Sequence, residues 1–263
     1  MFKNVFQREY GVKLGLSNPE LHLIQTEKLA KLLLPKSIYE WIMKDGYYPE
    51  SYVLPPCFKV EKYPAYGKKY FTINNGRIKS NLSSLAFIQF PKSNFADRIF
   101  GIIDPELHCD IAYEISSNWK SLLKIFFNPN NKVFCYSFPI PLDKKSMGKV
   151  GKLRSGRMIY EFIEMAENDV ASEAFKYSYL IIADIKNFYP SIYTHSISWA
   201  IHGKSYIRTN KRRIDPNLLG NRIDHLFQYS NDGKTNGIAI GPVVSDIISE
   251  IILAKVDVEF SNC

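Results

Sequence analysis

Apolar positions in this chain fall into stretches with different periods, and each period predicts a different element. After Ser17-Asn18-Pro19, the residues Leu21, Ile24, Leu29, Leu32 and Leu33 lie on or near one helical face until Pro35 interrupts it. A second short helix is expected over Ser37 to Lys44, followed by an aromatic, proline-containing connector (Tyr47, Tyr48, Pro49, Pro55, Pro56, Tyr63, Pro64, Tyr66, Tyr70). Asp104-Pro105-Glu106 is a helix start, with Asp as cap and Pro in the first turn. Leu107, Ile111, Ile115, Trp119, Leu122 and Phe126 then form a core-facing stripe. Another helix is expected over about Ile159 to Phe175.

The texture then changes. Tyr179 to Ala183 is a short apolar, β-branched run ending at Asp184, which predicts a buried strand with one carboxylate at its end. A short helix over Tyr193 to Ile201 and another capped by Asp215-Pro216 follow. A glycine-containing loop (Asn236-Gly237, Gly241-Pro242) leads into a long apolar helix carrying Val243, Val244, Ile247, Ile248, Ile251, Ile252 and Leu253. We expect an α+β fold in three zones: an N-terminal region over 1–75, a mixed region over 76–178, and a last region over 179–263. No internal repeat or low-complexity tract is present.

Composition narrows the class. Hydrophobic residues at 46% exclude global disorder, and a formal charge of +8 favours an anionic partner such as nucleic acid. There is no signal-peptide core and no apolar run of membrane length, so a cytoplasmic protein with no membrane partner is expected. Cys57, Cys109, Cys135 and Cys263 are far apart and lack zinc spacing, as expected of reduced thiols. The five histidines show no metal spacing either, and His195 and His202 read as polar helix positions.

Candidate chemistry gathers in four places. Asp184 at a strand end can hold a divalent cation, although Asp at that position also commonly starts a turn; Tyr189, past the turn, can floor the same pocket. Gly237 and Gly241 leave room for a ligand to approach the backbone. Lys144, Lys145, Lys149, Lys152, Arg154 and Arg157, spaced by Gly148, Gly151 and Gly156, can lie against phosphates; Arg154 and Arg157 are favoured, and Arg98 is weaker. Lys204, Arg208, Lys211, Arg212 and Arg213 can contact a nucleic-acid backbone, which requires charge more than geometry.

Tyr179 to Ser191 (YLIIADIKNFYPS) resembles motif A of reverse transcriptases, and Gly237-Ile238-Ala239-Ile240-Gly241-Pro242-Val243-Val244-Ser245 resembles their motif B. Together they resemble bacterial reverse transcriptases of the abortive-infection or defence-associated type. Ala239 stands where that family often has Pro, and Asn236 where many members have Gln. Arg98 to Pro105, with the helix after it, is more loosely similar to the family's fingers.

The resemblance implies a right-hand polymerase of fingers and incomplete palm, with Tyr179 to Ala183 as a central antiparallel palm strand and the helix after Pro242 packed across the sheet. It implies two Mg²⁺ ions bridged by Asp184, with the backbone carbonyl of Ile185 as a further ligand. Tyr189 would lie under the sugar of an incoming dNTP and disfavour a 2′-hydroxyl; Asn236 and Gly237 would line the nascent base pair. The implied partners are an RNA template and DNA product, with a non-coding RNA, a homo-oligomer or a partner protein as further candidates. The family's aromatic-x-Asp-Asp hairpin is missing, since no Asp-Asp pair occurs in the 263 residues. Two interpretations follow: a C-terminally truncated polymerase, or a catalytically inactive relative acting as a nucleic-acid-binding or assembly subunit.

Overall fold

The computed structural model describes residues 18–49, 54–55, 57–93, 96–133, 135, 138–142, 170–171, 174–209 and 214–262. Its elements run α1 (Asn18–Leu32), α2 (Pro35–Lys44), β1 (Thr72–Asn74), β2 (Arg77–Lys79), β3 (Ala86–Ser93) and β4 (Ala96–Ile102). They continue with α3 (Pro105–Ser117), α4 (Trp119–Phe126), a 3₁₀ turn (Ala174–Lys176), α5 (Phe188–Ser191), α6 (His195–His202), α7 (Lys204–Arg208), α8 (Leu219–Tyr229) and α9 (Val243–Phe260). The fold is thus α+β, with helices outweighing two separate antiparallel hairpins, β1–β2 and β3–β4. The first hairpin turns on Asn75-Gly76, both at positive φ (49° and 69°), the conformation a two-residue hairpin favours.

Helix α3 is the centre. The Asp104 carboxylate accepts the amides of Glu106 (2.9 Å) and Leu107 (3.3 Å), which fixes where the helix begins. Leu107, Ile111, Ile115, Trp119, Leu122 and Phe126 are all buried as their spacing predicts, with the helix broken at Asn118 into α3 and α4. Around this axis, α2 and α8 pack on α3, α1 on α4, and α9 on α3, α4 and α6. Ala30 of α1 and Leu33 just past its end are buried whereas Leu32 is exposed, so only part of the expected stripe faces the core. The indole N–H of Trp119 donates to the Ala30 carbonyl at 3.0 Å, tying α1 to α4.

Two charged groups are held inside this packing. Glu114 on α3, its side chain 2% exposed, takes Arg222 Nη2 at 2.8 Å and Nε at 2.9 Å from α8, and Asn118 Nδ2 at 3.4 Å. Asp110 accepts the amides of Tyr70 and Phe71, each at 2.7 Å, anchoring the aromatic connector to α3. Burial pushes the Asp110 carboxyl up to about 6 against those two amide donors, which pull it down.

The last zone departs from expectation. Tyr179 to Ala183 forms no strand, and Tyr179, Leu180, Ile181 and Ile182 are exposed. An isolated run has nothing to satisfy its backbone except water, and among the described residues no neighbouring strand reaches it. Among the described residues α9 accordingly crosses no palm sheet. Its Val244, Ile247, Ile248 and Ile251 are fully buried, as expected, but against other helices. The expected helix over 159–175 falls mostly outside the described residues. No helix among the described residues is long and apolar enough to cross a membrane.

Candidate functional site

Beyond Asp184 the chain makes a tight reversal. The Asp184 carboxylate accepts the Ile185 amide at 2.9 Å, and both residues are exposed. Asn187 then adopts the left-handed region (φ 53°), which Asn tolerates better than most residues. The single turn α5 follows, closed by the Ser191 amide on the Asn187 carbonyl at 3.1 Å.

This turn is joined by its backbone to the glycine loop before α9. The Gly237 amide donates to Ile192 O (2.8 Å), the Ile238 amide to Tyr189 O (3.1 Å), and the Thr194 amide to Thr235 O (2.8 Å). A bridge pairs Tyr193 with Asn236. Gly237 is required here: φ is 88°, and a Cβ would stand 3.1 Å from the Pro190 carbonyl oxygen. Further along, the Gly101 amide on Ile240 O (2.9 Å) and the Val243 amide on Gly46 O (2.8 Å) fix the loop against β4 and the end of α2. At Gly241 a Cβ would stand 2.6 Å from Pro49 Cγ, so the loop is wedged closed at that point.

Tyr189 is the side chain shared between the two segments. Its hydroxyl donates to Asp246 Oδ1 on α9 at 2.8 Å, and its half-buried ring packs against the core beside Phe188. Asp246 anchors Tyr189 from 57 residues away. The structure therefore brings Tyr189, Asn236, Gly237 and Asp246 together, with Asp184 and Ile185 on the exposed approach to the same turn.

Of the cationic candidates, Arg154, Arg157, Lys211, Arg212 and Arg213 lie outside the described residues. Lys204 and Arg208 are exposed on α7 and lean over the Trp199 ring, at 4.8 Å and 6.0 Å from its centre. His195 Nδ1 meets Asp224 Oδ2 at 2.6 Å, while Gln228 donates to Asp224 Oδ1 at 2.6 Å, a network spanning α6 and α8. His202 accepts the Gly220 amide at Nε2 (3.0 Å), as a neutral ring can, and burial followed by Arg222 lowers its pKa. Both histidines serve the joint between α6 and α8, in line with their reading as polar helix positions.

Mg²⁺ takes oxygen ligands and keeps several waters, so a few carboxylates with substrate phosphates can hold it. Asp184 offers one such carboxylate. Among the described residues no group of three or more His, Cys, Asp or Glu is arranged to hold a metal ion. No family model matches the chain, and no curated protein matches it.

Proposed function

We propose that this chain is the fingers and partial-palm portion of an RNA-directed DNA polymerase used in anti-phage defence, a nucleotidyltransferase with deoxynucleotides, an RNA template and a DNA product as its partners. One observation supports this above the rest: the backbone pairing of the 189–194 turn with the 235–238 loop. It assembles into one site the two stretches whose sequences point to nucleotide transfer. Within that reading Asp184 is one ligand to a pair of Mg²⁺ ions, which when bound would stabilise the phosphoryl transfer. Tyr189 stands under the nucleotide sugar with its hydroxyl held by Asp246, and Asn236 and Gly237 line the base pair. The cations Arg154, Arg157, Lys211, Arg212 and Arg213 remain assigned to nucleotide and strand phosphates on sequence grounds alone.

The absence of an Asp-Asp pair from the 263 residues favours one second reading, an inactive relative that binds nucleic acid or assembles with a partner. Primer extension on an RNA template by the complete enzyme separates them. The first reading expects Mg²⁺-dependent synthesis that Asp184→Asn abolishes with little change in stability, because the side chain is exposed and anchors no packing. Synthesis that survives Asp184→Asn would remove the metal role. The 263 residues alone, which contain no Asp-Asp pair, are expected to be inactive.

A further inference from the structure

Helices α6 and α7, with Tyr193 just before α6, carry aromatic rings and cations on one solvent-facing surface. Tyr193, 37% exposed, sits 5.6 Å from the half-buried Trp199 ring with 58° between their planes. Lys204 Nζ lies 4.8 Å and the Arg208 guanidinium 6.0 Å from the Trp199 centre, and Tyr206 is exposed beside them. Neither Lys204 nor Arg208 is paired with a carboxylate among the described residues, although the protein has acidic side chains that pair elsewhere on its surface.

We infer that Tyr193, Trp199, Lys204 and Arg208 form a stacking platform for an unpaired nucleic-acid strand. A cation resting on an exposed ring is held weakly, and a stacked base gains more from that ring than the cation does. An arriving base therefore displaces the ammonium and guanidinium. Their long stems then carry them toward the phosphates on either side of that base, where each neutralises charge and releases counterions. A duplex keeps its bases stacked on one another and cannot use the rings. An acidic protein segment would pair with the cations and gain nothing from Trp199. This inference deepens the nucleic-acid side of the proposed function and needs no metal.

The chain's three tryptophans make the test direct, because Trp41 and Trp119 are buried and only Trp199 reaches solvent. The complete protein is titrated with a single-stranded oligo(dT) in EDTA while tryptophan emission is followed, with a blunt duplex and a poly-glutamate peptide as comparators. The oligonucleotide is expected to quench emission, and the duplex and peptide are not. Trp199→Leu should lose the quench and bind roughly 5- to 150-fold more weakly, whereas Trp199→Phe, which keeps a ring, should retain most of the affinity. Lys204→Gln with Arg208→Gln should reduce the slope of log affinity against log salt by roughly 1.4, about 0.7 for each lost phosphate contact. Absence of quenching in the wild-type protein, unchanged binding by both Trp199 variants, or equal binding of the peptide would overturn the platform. Primer extension is measured in parallel with Mg²⁺. Its failure while quenching persists would sink the polymerase reading alone, and quenching lost while extension persists would sink the platform alone.

Discussion

Helix α9 and the run Tyr179 to Ala183 are both apolar, and they end in opposite circumstances. Val243, Val244, Ile247, Ile248 and Ile251 of α9 are buried, whereas Ile181 and Ile182 are each 87% exposed. A helix satisfies its own backbone, so α9 needs only surfaces for its side chains, and α3, α4 and α6 supply them. An extended run needs side-chain cover and also a second backbone to take its amides and carbonyls. Hydrophobicity thus states an appetite for burial in both regions, but only in the helix can one surface meet it.

The largest effect that sharpens this contrast is expected in α9. Ile247→Ala should cost about 2–5 kcal/mol in urea unfolding, because its site is enclosed and the cavity cannot fully collapse. A loss below about 1 kcal/mol would mean that α9 is not packed as described.

Asp110 gives the next effect and a pH signature. Its carboxyl is held at about 6 when folded, above the ordinary range of an unfolded Asp. The stability it contributes is full below about pH 4 and is lost as pH rises through about 6, a change on the order of 1–3 kcal/mol. Asp110→Asn should flatten this part of the stability–pH curve. It should also destabilise by about 1–3 kcal/mol, since an amide nitrogen would face one of the two backbone donors at Tyr70 and Phe71.

Tyr189 stands between the two regions and reports on both. Tyr189→Phe removes the bond to Asp246 while keeping the ring, and should cost about 1 kcal/mol of stability. Tyr189→Ala removes the ring as well. If the ring lies under a nucleotide sugar, single-nucleotide incorporation by the complete enzyme should shift toward ribonucleotides by an amount equivalent to about 1–3 kcal/mol. An unchanged ratio would leave the ring as packing alone.

The smallest effect belongs to the exposed run. Ile182→Ser should change stability by less than about 0.5 kcal/mol, as for a surface position away from special features. A loss near that of Ile247→Ala would show the run to be buried in solution and would erase the contrast.

What was legible in the sequence was what depends on near neighbours. Asp104-Pro105 announced α3 because cap and first turn sit side by side, and the stripe from Leu107 to Phe126 named its buried face. Gly237 and Gly241 read in the sequence as positions open to an approaching ligand, whereas Pro190 and Pro49 occupy the space a side chain would take there. The Tyr189–Asp246 bond and the cations over Trp199 depend on how helices lie together, which no local pattern encodes. The strand expected at Tyr179 to Ala183 failed for the same reason: an apolar β-branched run specifies a conformation and leaves its partner unspecified.

The Glu114–Arg222 pair sets a schedule for the newborn chain. Its members are 108 residues apart, so at about 5–20 residues per second Glu114 leaves the peptidyl-transferase centre roughly 5–20 s before Arg222. During that interval the buried Glu114 carboxylate has Lys69 Nζ, at 3.9 Å, and the Asn118 amide as partners but lacks the two closer guanidinium bonds, which makes sealing α3 into its final surroundings costlier. The first half of the protein is therefore expected to close less tightly until α8 is made. α8 then brings the Arg222 guanidinium, and slowing synthesis between residues 114 and 222 should lengthen the time over which a nascent chain stays sensitive to protease.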